Sequence, residues 1–119
     1  MGSSGVGNFG NYPGNTNPTK DMCRTERKNV GLEEVGRLEY FNVHGNVPVI
    51  MEPVVLSDQL KNGRLVVLSE TTGEEIGFLP STYSSLLACM RKGFSYRGNV
   101  VYSALRPIPK VDVDLNAHE

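Results

Sequence analysis

The chain has 119 residues, 39% hydrophobic, 21% charged and 8% aromatic with no Trp, which is enough for one domain around one core. A formal charge of -1 excludes a uniformly basic coat, so any contact with nucleic acid or anionic lipid must come from local segregation of charge. No apolar run approaches the roughly 20 residues of a membrane span, and the first 30 residues lack a signal-like apolar stretch. The expectation is a soluble, cytoplasmic protein with no membrane partner.

In chain order, residues 1 to 20 hold five Gly, four Asn and two Pro with few apolar groups. Such a segment buries too little to offset its ordering entropy, so 1–32 reads as a disordered tail and linker, with at most a short helical turn over 20–31. The globular domain is expected over 33–115 and a C-terminal tail over 116–119. The β-branched and aromatic content of Glu34 to Phe41, followed by the turn residues Asn42 to Asn46, favours a strand. Val47 to Leu56 is an apolar run broken by Pro48 and Pro53, which pushes it toward an edge strand or a bulge. Leu65 to Leu68 and Ile76 to Leu79, joined by the turn-rich Glu70 to Glu74, form the clearest hairpin.

A helix of about three turns is expected over 81–92. Ser81 is its candidate N-cap, Tyr83, Leu86, Leu87 and Met90 share one face, Arg91 and Lys92 suit the negative end of the dipole, and Gly93 ends it. Beyond it, Tyr96 to Tyr102 reads as a strand bulged at Gly98. After Pro107 and Pro109, Val111, Val113 and Leu115 alternate with Asp112 and Asp114 in a last strand with one wet face. The fold class is therefore mainly β or α+β: a small half-open β-barrel-like domain of about five to six strands with one helix.

Cys23 and Cys89 lie 66 positions apart and are too few for a zinc site, and without a secretory signal reduced thiols are the expectation. Neither His44 nor His118 is placed to activate a cysteine nucleophile, and no complete catalytic or metal-ligand motif appears. The expectation is a non-catalytic protein without a cofactor or metal.

Charge is segregated along the chain. From Glu33 to Glu75 there are eight acids against three bases, a balance of -5; from Ile76 to Lys110 there are five bases and no acid, a balance of +5. Phe94, Tyr96 and Tyr102 interleave with those bases, the residue types that hold phosphates while stacking bases. Candidate nucleic-acid contacts are thus Arg91, Lys92, Phe94, Tyr96, Arg97 and Tyr102. Lys92 to Tyr96 also imitates the opening of the RNP1 pattern, although Arg97 stands where an apolar residue belongs. Glu70, Glu74 and Glu75 flank a projecting turn and offer an alternative, a regulatory or inhibitory surface for a protein partner with a basic face. A third reading has these acids and Asp112 with Asp114 binding calcium, although no spacing matches the twelve-residue calcium loop.

The segment Gly73-Glu74-Glu75-Ile76-Gly77-Phe78-Leu79-Pro80, the helix after it, and Gly93, Tyr96 and Val100-Val101 in the return strand resemble the C-terminal half of HIRAN domains. The resemblance covers about 30 residues, Gly73 to Tyr102. It implies a compact barrel-like β fold that binds DNA, in known members the ends of single strands. Of the ligand-contacting stretch that precedes this half in the family, only Asp58 falls in a similar place.

Overall fold

The computed structural model describes residues 19–119; the tail expectation for 1–18 lies outside the described residues. Six antiparallel strands make one sheet: β1 (Arg27–Gly31), β2 (Pro53–Leu56), β3 (Val66–Ser69), β4 (Glu75–Phe78), β5 (Ser95–Ala104) and β6 (Lys110–His118), in the order β1-β6-β5-β2-β3-β4. The sheet curls until its two edges touch. Just past β1, Glu33 exchanges both backbone hydrogen bonds with Phe78 of β4, at 2.8 and 2.9 Å. Arg64 reinforces the corner by pairing with Glu33 and, at 2.7 Å, with Glu34, while its guanidinium lies 4.5 Å from the Phe78 ring centroid. The result is the small β-barrel-like domain that the strand count suggests.

Alternation sets the core. Val111, Val113 and Leu115 of β6, Tyr96 and Val100 of β5, and Val54 and Leu56 of β2 all point inward and are buried, joined by Ile76 and Leu86. The hairpin of β3 and β4 closes through Gly73, whose N–H donates to Ser69 O at 2.8 Å. In the long β5–β6 pair the bulge falls between Val100 and Tyr102, not at Gly98. Gly98 instead permits close strand approach: a Cβ there would lie 1.8 Å from Asp114 O, so only glycine lets β6 come this near.

Four expectations are corrected. Residues 34–41 form a 3-10 turn (Val35–Arg37) and the start of α2 (Glu39–His44), which Gly45 ends at φ +64°. The run before Leu56 shrinks to β2, an interior strand; Pro53 is tolerated because it is the first residue. The helix expected over 81–92 is split into a 3-10 turn (Ser81–Tyr83) and α3 (Leu86–Arg91), and the Ser81 side chain makes no capping bond. Its C-terminus behaves as expected: Gly93 has φ +106°, Gly93 N donates to Met90 O, and Phe94 N donates to Cys89 O. Finally, residues 20–31 and 116–118 belong to the fold, as α1 (Lys20–Arg24), β1 and the end of β6.

The thiol expectation is overturned as well. Cys23 of α1 and Cys89 of α3 form a disulfide with a Cα–Cα distance of 5.6 Å, both residues being buried. The two helices meet over one end of the barrel, a proximity that a separation of 66 residues conceals. Closing a loop of that length constrains the unfolded chain by on the order of 4 kcal/mol.

Candidate nucleic-acid interface

On the outer face of the sheet, Leu68 of β3, Val55 of β2 and Arg97 of β5 stand side by side, because Val55 pairs with both Leu68 and Arg97 in register. Ser95 lies on the same face two residues before Arg97. Val55, Leu68 and Ser95 of this row line a depression of about 360 Å³ together with Ser57, Asp58, Met90 and the buried Phe94, and Arg97 stands beside it as the neighbour of Val55. A second depression, of about 480 Å³, adjoins it through Asp58 and Met90, and is walled by Gln59 and Leu60 on one side and by Leu87 and Arg91 of α3 on the other. Together they make a groove with an apolar floor, cations toward α3 and β5, and one carboxylate, Asp58, on the opposite wall.

Local chemistry explains both walls. The α3 wall exists because Leu86 and Cys89 turn into the core, which leaves Leu87 and Met90 half-buried at the groove and Arg91 exposed. The opposing loop is stiffened by the Ser57 hydroxyl, which accepts from Gln59 N at 3.1 Å. Next to it, Asn62 (φ +54°) and Gly63 (φ +74°) carry a two-residue turn in which Lys61 and Arg64 exchange backbone bonds.

The six candidate contacts do not form one surface. Arg91 lines the groove and Arg97 flanks it, 3.9 Å from Glu70. Lys92 follows Arg91 as the exposed C-cap of α3. Phe94 and Tyr96 are buried, at 5% and 0% exposure, so neither offers a face for stacking. The Tyr96 hydroxyl donates to Cys23 O at 2.8 Å, and burial raises the pKa of its phenol. Tyr102 is exposed but lies five residues along β5 from Arg97, across from Asp112 and away from the groove.

The acidic candidates are engaged by neighbours. Glu70 meets Arg97, Glu75 meets Lys61 at 3.1 Å, and Glu74 meets His44 Nε2 at 2.6 Å. The His44 hydrogen bond holds the Glu74 carboxyl below its ordinary pKa, with a smaller contribution from Thr72. Asp112 pairs with Lys110 at 3.3 Å, and Asp114 accepts from Asn29 N at 2.8 Å. Among the described residues no group of three or more His, Cys, Asp or Glu side chains is placed to hold a metal ion, and no helix is long and apolar enough to cross a membrane.

Sequence reasoning missed Leu87 and Met90 as groove residues, since a half-buried apolar side chain reads as core, and missed Leu60, an exposed apolar side chain in a loop. The strand phase did carry a signal for Tyr96: it is two steps of two from buried Val100, and so shares its inward face. No family model, curated protein or solved structure matches the chain.

Proposed function

We propose that this domain is a non-catalytic binding module that takes single-stranded nucleic acid, or a DNA end, along the groove between α3 and the 57–60 loop. The observation that carries this reading is the apolar floor of Leu87, Met90, Val55 and Leu68 with Arg91 lining it on the α3 side and Arg97 beside Val55 on the β5 side. Phosphates would run along the cations while bases lie against the floor, with Asp58 positioned to accept hydrogen bonds from base amino groups or a terminal hydroxyl. The resemblance of Gly73 to Tyr102 to HIRAN domains, which bind DNA, points the same way. The rival protein-binding and calcium-binding readings are weaker, because Glu74 and Glu75 are engaged by His44 and Lys61, and Asp112 and Asp114 by Lys110 and Asn29 N.

A titration of fluorescein-labelled oligothymidine at low salt tests the proposal. Binding that is lost in Arg97→Glu and retained in Arg106→Glu, in the loop after β5, supports the groove. Equal losses in both would place the nucleic acid elsewhere, and no binding by the parent chain would reject the reading.

A further inference from the structure

We infer that the Cys23–Cys89 disulfide is a redox lock that holds α1 as a lid over the aromatic end of the barrel, and that reduction releases the lid. A helix of five residues does not hold together in water by itself, so α1 keeps its shape only by being docked. The Thr19 hydroxyl caps it at Met22 N, Arg27 of β1 donates to Met22 O at 2.9 Å, Arg24 pairs with Glu119, and the Tyr96 hydroxyl donates to Cys23 O. The ion pair is half-exposed and weak by nature, and the disulfide is the one covalent tether.

What lies beneath the lid gives the lock a purpose. The Arg24 guanidinium sits 6.0 Å from the Phe94 ring centroid. The lid therefore holds a cation over an aromatic ring, where an incoming base or phosphate would seek both. Arg27, the first residue of β1, lies 5.9 Å from the Tyr96 ring and stays with the sheet. With α1 undocked, Phe94 and Arg24 become available next to the groove that Phe94 already lines, and the Tyr96 hydroxyl loses its partner at Cys23 O.

The chemistry is thiol–disulfide exchange with a dithiol reductant. One of its thiolates attacks either cysteine sulfur, breaking the Sγ–Sγ bond to give a mixed disulfide and a protein thiolate. The second reductant thiol then attacks that mixed disulfide. Two electrons pass to the protein, both cysteines end as thiols after proton uptake, and the reductant leaves as its own disulfide. Because both cysteines are buried, attack waits on transient opening of α1, so the lock changes state slowly.

The ligand in this inference rests on the nucleic-acid reading; the movement of the lid does not, and the two are read separately. The full chain would be compared oxidised, after dithiothreitol, and as the Cys23→Ser/Cys89→Ser variant. Two quantities are followed: the rate of trypsin cleavage after Arg24, against amide exchange in β6 as a check on the core, and the affinity for labelled ten-nucleotide oligothymidine. The lock predicts that in both reduced forms cleavage rises at least tenfold more than β6 protection falls, and that oligonucleotide affinity is at least threefold tighter. Unchanged cleavage would overturn it, as would a fall in β6 protection as large as the rise in cleavage, which would make the disulfide a staple of the whole fold. Faster cleavage with unaltered affinity in a chain that binds would also overturn it, since the lid would then gate nothing. Faster cleavage with no binding in any form would support the lock and reject the nucleic-acid reading.

Discussion

Between Glu33 and Glu75 four of the eight carboxylates pair with Lys or Arg, three of them with Arg64 or Lys61 in the same stretch, and a fifth, Glu74, bonds His44, whereas between Ile76 and Lys110 Arg91 and Arg106 make no ion pair among the described residues. Equal and opposite formal charge thus produces unlike surfaces. The acids sit where the barrel closes and where α2 packs on β4, so folding itself brings bases to them. The bases are spread over α3, β5, the loop after β5 and the start of β6, and Arg97 and Lys110 each meet one carboxylate. A charge imbalance along a sequence therefore marks a binding face only where the fold leaves it uncompensated.

The contrast breaks most severely if α3 is lost. Truncating Leu86, which is fully buried, to Ala should cost about 2 to 5 kcal/mol in chemical denaturation, whereas Ser85→Ala should cost far less. Similar midpoints for the two variants would mean that α3 does not anchor the cationic wall through Leu86. On the acidic side, Arg64→Ala removes the partner of Glu33 and Glu34 and the contact with Phe78, and should cost about 1 to 2 kcal/mol, reduced by the partial exposure of the site. No loss there would show that the paired acids contribute nothing to closing the barrel.

Gly93→Ala should cost about 1 kcal/mol by thermal or chemical melting, because an L side chain at φ +106° is strained. The smallest effect concerns Glu74. Its folded pKa lies below the ordinary 4.5, so the stability it contributes is present above that value and is lost as pH falls through the folded pKa. Glu74→Gln should flatten the stability profile slightly below about pH 4.5 and leave it unchanged in shape near neutrality; an unaltered acid limb would show that the His44 bond is not felt in solution.

What could be read from the sequence was local. The Val111, Val113 and Leu115 alternation, the β3–β4 hairpin and the Gly93 stop each rest on residues that are neighbours in the chain, and each element lies where those residues put it. Helix α2 was hidden because it buries no residue and so has no apolar stripe to display. The disulfide depends on two helices meeting across 66 residues, and the inward turn of Tyr96 depends on which face of β5 meets the core. The candidate site was legible only in part for the same reason. The cations could be counted from the sequence, but the groove that Arg91 lines and Arg97 stands beside is walled by Asp58, Leu60 and Val55, from another part of the chain.

Whether Arg91 and Arg97 hold phosphates at the groove is tested most directly by the salt dependence of oligothymidine binding. Each phosphate contact on a single strand contributes roughly 0.7 to the slope of log affinity against log salt. Phosphate contacts at these two residues predict a steep fall in affinity with salt for the parent chain and a slope shallower by about 0.7 in each of Arg91→Ala and Arg97→Ala. A slope that is the same in the parent and both variants would contradict them.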